Sequence, residues 1–115
     1  IHYAFRKFQI TIPVYRTSEL ISKGFFIGGQ KSDLVISMCK VVGADTFVFG
    51  CDGRTYIEKE VFYNNNINFI FQDFHHPVYE QLHGEFIPYM SFIDLLFNRG
   101  TESVNILGKS NYLKE

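Results

Sequence analysis

The side chains best suited to chemistry in this 115-residue chain gather in a few short stretches. Arg16-Thr17-Ser18, Gly50-Cys51-Asp52-Gly53-Arg54 and Gln72-Asp73-Phe74-His75-His76 each follow an apolar, β-prone run. Arg16 and Arg54 supply positive charge, and turn amides near Gly50 and Gly53 supply donors. That combination suits an anionic group such as a phosphate. His76 adds an imidazole, which titrates near neutrality and suits a general base; a hydrogen-bonded structural histidine is the plainer alternative. Further along, Ser91, Asp94 and Asn98 fall at helical spacing on one stripe. Short polar residues in such a stripe either satisfy backbone or line a cavity, whereas a solvated stripe usually carries Lys or Glu.

Other chemistries find less support. Asp73, His75, His76 and His83 are poorly spaced for a metal, no Cys joins them, and adjacent histidines before Pro77 cannot both reach one ion without strain. No metal and no cofactor are expected. Gly108-Lys109-Ser110 matches the end of a phosphate loop, but position 103 is Ser rather than Gly and no strand precedes it. Cys39 and Cys51 lie in different predicted elements without a C-x-x-C, so free thiols in a cytoplasmic protein are expected. A net charge of −1 gives no reason to expect a nucleic acid or an anionic membrane as partner. No apolar run approaches the ~20 residues of a membrane span.

These residues must be positioned by elements that the sequence outlines. Phe8–Tyr15 alternates apolar side chains and predicts a strand, with Pro13 near an edge or end. Ser32 reads as the cap of a helix over Asp33–Val42, stopped by Gly43. Thr46–Gly50 predicts a buried parallel strand, Glu58–Asn64 a short helix ended by a run of asparagines, and Ile67–Phe71 a third strand. Ser91 should cap a helix that Gly100 terminates. The expected fold is therefore a single α/β domain over residues 1–115. Its parallel β-sheet carries flanking helices, in the order βαβαβ followed by a long loop and C-terminal helices. In such sheets ligands bind beyond the carboxyl ends of the strands, which is where the polar rims lie.

The region after the third strand carries a family signature. His76-Pro77-Val78-Tyr79 with Gln81, then Phe86 and Pro88, then Ser91-x-Ile93-Asp94-Leu95-Leu96-Phe97-Asn98-x-Gly100, resembles the WbqC-like family. Ser18-Glu19-Leu20, Lys31 with Leu34, Cys39-Lys40 and Gly43-Ala44 continue the likeness more weakly, as do Gly50 and Tyr56. The resemblance spans roughly residues 18–107. Family members are about twice this length and open with a Q-P-x-Y-x-P motif after a first strand. That motif is not in this sequence, and Ile1–Lys7 read as the tail of a preceding segment, so the chain is expected to be the C-terminal part of a longer protein.

The family occurs in bacterial polysaccharide and O-antigen gene clusters. The resemblance implies a transferase that adds an amino-acid or acyl group to a nucleotide-linked amino sugar. His76 would be the base and Asp94 would orient or polarise it. Arg16, Ser18, Lys31, Gly50, Arg54, Tyr56, Tyr79, Gln81 and Asn98 would bind a nucleotide sugar or another small anionic substrate. The competing expectation is a non-catalytic interaction or scaffold domain, which pairs with a partner or a second copy through an exposed sheet edge.

Overall fold

A computed structural model describes residues 1–114, including all side chains there except those of Asn111 and Lys114. The elements are α1 (His2–Lys7), α2 (Thr17–Ser22), α3 (Lys31–Val42), β1 (Thr46–Phe49), a 3-10 turn (Cys51–Thr55), α4 (Lys59–Asn64) and β2 (Asn68–Phe74). After a long loop come α5 (Phe92–Arg99), a 3-10 turn (Gly100–Glu102), α6 (Ser103–Lys109) and β3 (Asn111–Lys114).

One closing device recurs through the first half. Each of the first four helices ends with an amide bonded to the carbonyl five residues back: Ile10 to Phe5, Phe25 to Leu20, Ala44 to Cys39 and Ile67 to Phe62. The residue before each of these amides takes a positive φ: Gln9, Gly24, Gly43 and Asn66. This is the closure that satisfies the last carbonyls of a helix, and glycine or asparagine adopts it at least cost. Gly43 and the asparagine run therefore stop α3 and α4 where the sequence placed the stops.

The predicted strand over Phe8–Tyr15 is absent. Phe8 belongs to the close of α1, and Gln9 turns the chain with φ 55. Pro13 removes a donor, and Ile10, Ile12, Val14 and Tyr15 stay exposed. The stretch has strand propensity without a strand to pair with, and propensity alone does not make a strand. Arg16-Thr17-Ser18 is accordingly not a strand end but the entry to α2. The parallel unit reduces to β1, its crossover and β2, paired in register from Thr46 with Asn68 to Phe49 with Phe71. The sheet order is β1-β2-β3, so the mixed α/β class holds while the full βαβαβ order does not.

The chain groups into two compact units. One contains Pro13–Asp73 and the residues from Leu113; the other contains Ile1–Ile12 and Phe74–Tyr112. In the first, Ile36 and Cys39 of α3, Phe62 of α4, Ile67, and Phe49 and Phe71 of the paired strands form the buried core. Phe47, Phe49, Phe69 and Phe71 project alternately to one face, where Phe49 and Phe71 stack with ring centroids 5.6 Å apart. Val48, on the opposite face of β1, is exposed. The helices thus cover one face of the sheet, as the period-two pattern of the strands requires.

In the second unit Phe8 packs edge-on against Phe92 at 5.9 Å, and Leu95 is buried. Beneath Leu95, the fully buried Ser103 hydroxyl donates to its carbonyl at 3.2 Å. No helix among the described residues is long and apolar enough to cross a membrane.

Candidate functional site

The site is built from the first turn of α5 outward. Ser91 caps that helix, its Oγ accepting the Ile93 amide at 3.3 Å, and this fixes Asp94 in the first turn. Asp94 Oδ2 accepts from the Tyr79 hydroxyl at 2.7 Å and from Gln81 Nε2 at 2.9 Å. Asp94 Oδ1 accepts from Asn98 Nδ2 at 3.1 Å, one turn along the same helix. Asn98 Oδ1 in turn accepts the Leu82 amide at 2.8 Å. Gln81 grips Ile87 from both sides, accepting its amide at 2.8 Å and donating to its carbonyl at 3.1 Å. Side chains replace a ladder here, pinning the loop after β2 onto α5.

The electrostatic result is directional. The Tyr79 hydroxyl, then Gln81 and Asn98, hold the Asp94 carboxyl below its ordinary pKa. Burial, joined by the neighbouring carboxylate, pushes the Tyr79 phenol above its own. Asp94 is therefore a fixed carboxylate and Tyr79 a protonated donor. A carboxylate offers about four acceptor positions, of which three are filled from within the chain. Asp94 also lines a cleft of about 340 Å³ with Gln81, Asn98, Leu82, Met90 and Phe97. Among the described residues no side-chain donor fills the fourth position, which fits a donor from outside such as an ammonium or a hydroxyl.

His76 lies in the same unit but not as a free base. Its Nε2 accepts the Tyr89 amide at 3.0 Å, so the proton of the neutral ring sits on Nδ1. Nδ1 is buried without a hydrogen-bond partner among the described residues. The ring meets Tyr89 at 5.0 Å and Phe86 at 5.9 Å, and Phe86 meets Tyr79 at 5.3 Å. Tyr89 takes φ 60, so His76 holds a strained turn just after Pro88. The link from His76 to Asp94 thus runs through Phe86 and Tyr79, and His76 is not in the lining of the Asp94 cleft. His75 is turned to another neighbour, the ring of Tyr112, at 5.7 Å.

The remaining expected residues belong to the other unit. Arg16 pairs with Glu19 at 3.4 Å on an exposed helix turn, and Ser18 follows it in α2. Arg54 lies 4.2 Å over the face of Phe71, a cation–π contact. Gly50 begins the 3-10 turn with φ −68, a conformation open to any residue. Lys31 and Tyr56 do meet, in a cavity of about 440 Å³ that they line with Ser32 and Glu58. Sequence reasoning missed Ser32 in this role because its position suggested a cap; the cap position belongs to Gln30, and Ser32 is the second residue of the helix. It also missed Phe86 as a bridge, since the F-x-P spacing carries no chemical signal. Among the described residues no cluster of His, Cys, Asp and Glu could hold a metal ion.

Comparison with known proteins adds a family and a relative. The model of the WbqC-like protein family matches residues 1–106, which takes in the stretch before α2 as well as the signature after β2. "Uncharacterized protein Rv1507c" from Mycobacterium tuberculosis (strain ATCC 25618 / H37Rv) is 33% identical over 78 residues, covering 67% of this chain and 34% of the relative. The chain thus matches about a third of that relative's length. No solved structure matches.

Proposed function

Because the chain belongs to the WbqC-like protein family, we propose that it acts in bacterial surface polysaccharide (O-antigen) biosynthesis, within a transferase that adds an amino-acid or acyl group to a nucleotide-linked amino sugar. The observation that carries this reading is the Asp94 carboxylate, fixed by three side-chain donors and facing an open cleft. A carboxylate in that state recognises an amine, because a charged acceptor forms the stronger, shorter hydrogen bond with a cation. The apolar walls at Leu82, Met90 and Phe97 suit the carbon face of a sugar ring.

Asp94 serves as an anchor in this scheme. A carboxyl with a lowered pKa takes a proton poorly, and the amine must lose one when it attacks an acyl carbonyl. His76 acts as a positioning residue that holds Phe86 and Tyr89, since its Nε2 lone pair is already used. Calorimetric titration with a panel of nucleotide-linked amino sugars tests the reading. Binding of at least one, about 10-fold or more tighter than of its hydroxyl counterpart, is the expected result; silence across the panel overturns it.

A second reading, an interaction module, is favoured by the apolar side chains left in solvent on this unit. Val78, Leu82, Tyr89 and Phe97 are each exposed by 78% or more. Sedimentation of the protein alone at rising concentration separates the two. Self-association that Phe97→Ser abolishes supports the module, and a monomer throughout argues against pairing with a second copy.

A further inference from the structure

We propose that two copies of this chain pair by exchanging strands, with residues 10–15 of each laid antiparallel along the free edge of β1 in the other. This surface is separate from Val78, Leu82, Tyr89 and Phe97 of the interaction reading, and it asks nothing of the Asp94 cleft. β1 pairs with β2 alone among the described residues and so ends the sheet. The Asn68 amide bonds to the Asp45 carbonyl at 2.7 Å, which places the Asp45 carbonyl on the β2 side. Backbone groups alternate sides along a strand, so Thr46 and Val48 turn their amides and carbonyls to the open edge. Such an edge accepts a further strand. Val48 is also 49% exposed, on the face of the sheet that the helices leave uncovered.

A strand to fill that edge is present in the same sequence. Residues 10–15 make neither helix nor strand, although Ile10, Thr11, Ile12, Val14 and Tyr15 are all strand formers. Among the described residues, no backbone group of residues 11–15 bonds to another backbone group. Ile12 is 59% exposed. Pro13 decides which side of the segment can pair. It has no amide to donate, so the pairing side is that of Ile12 and Val14, with Pro13 turned outward. Antiparallel pairing with Ile12 opposite Val48 and Val14 opposite Thr46 brings their side chains onto the uncovered face beside Val48. The outer edge then carries Pro13, which hinders addition of another strand, so the exchange closes at two copies.

Charge complementarity points to the same occupant. Asp45 precedes β1 and Asp52 follows it, while Arg6 and Lys7 precede the segment and Arg16 follows it. All five are exposed. Antiparallel pairing in this register sets Arg16 beside Asp45 and directs the basic end of α1 toward Asp52, so unlike charges meet at both ends. The present partner of Arg16 is Glu19, at 3.4 Å on an exposed helix turn, and a pair of that kind contributes little. A second copy carries both halves of the match. Each pairing is therefore made twice in the dimer.

Sedimentation velocity from micromolar to millimolar protein, with no sugar present, tests the proposal. A reversible dimer should form, and the amides of Ile12, Val14, Thr46 and Val48 should gain protection from hydrogen exchange as it does. Ile12→Pro removes a pairing amide from a segment that no helix or strand uses, so circular dichroism should be unchanged. The dimer Kd should rise about 10-fold or more in that variant. Arg16→Asp should weaken the dimer by about 3-fold or more, and adding Asp45→Arg to the same chain should restore it. Phe97→Ser should leave the dimer intact. A monomer up to millimolar concentration overturns the proposal. So does a dimer that Ile12→Pro leaves unchanged, one that Phe97→Ser abolishes, or a charge swap that restores nothing. A failure of the Asp94 reading leaves these readouts untouched, since none involves the amino sugar.

Discussion

The Tyr79 hydroxyl donates to Asp94 Oδ2 at 2.7 Å, joining the loop after β2 to the first turn of α5. Tyr79 is buried and Asp94 half-buried, so the bond sits at the boundary between the packed interior and the cleft. Around it, Gln81 and Asn98 make the same junction with different atoms. The loop has no helix or strand of its own between Phe74 and Phe92, and this knot is what gives it a shape.

That knot has a pH signature. Asp94 titrates below its ordinary value of 3.8, with the Tyr79 bond as the largest cause. A carboxyl whose pKa is lower in the folded state stabilises the fold above its unfolded pKa and loses that contribution as pH falls through the folded one. Denaturant midpoints should therefore decline as pH drops below about 4. Asp94→Asn should flatten that decline. In Tyr79→Phe the Asp94 carboxyl carbon, followed by NMR, should titrate closer to the ordinary value; an unmoved titration would mean that the bond does not form.

His76 should behave as a structural residue. Removing its ring takes the acceptor from the Tyr89 amide and the packing from Phe86. His76→Ala should lower stability by about 1–2 kcal/mol in chemical denaturation. Any transfer activity should fall only in step with the folded fraction. A loss of 10²-fold or more in a fully folded variant would restore the ring as the base.

The two glycines of the turn after β1 should respond in opposite ways. A Cβ at Gly53 would stand 2.6 Å from Phe49 Cβ, inside the core, whereas one at Gly50 meets nothing within 4 Å. Gly53→Ala should cost about 1–3 kcal/mol through overpacking. Gly50→Ala should stay within about 0.5 kcal/mol of the parent protein. Equal midpoints for the two variants in urea would show that the turn yields.

Much of this was legible in the residues. Gly43 and the asparagine run announced the ends of α3 and α4, and Ser91 announced the start of α5, because capping is local chemistry. The short apolar runs at 46–50 and 67–71 marked a pair of parallel strands, although Val48 is exposed where a buried strand was expected. Phe8–Tyr15 misled for a physical reason: strand propensity is realised only against a neighbour, and periodicity does not reveal whether one exists. Asp94 and Asn98 could be placed on one stripe from their spacing. That the other partners would be Tyr79, Gln81 and the Leu82 amide could not, since these bonds join residues 13 to 16 apart in the chain.

The central claim is that Asp94 receives an amine, and the most direct test compares one nucleotide-linked amino sugar with its hydroxyl counterpart on the parent protein and on Asp94→Asn. The substituted amide keeps one acceptor oxygen, which can still receive Tyr79 and Gln81, while its NH2 opposes that of Asn98, so circular dichroism is needed to establish that the variant is folded. Calorimetry should show the amino sugar preferred by about 10-fold or more on the parent protein, with the preference gone in Asp94→Asn. An undiminished preference in the folded variant would contradict the account.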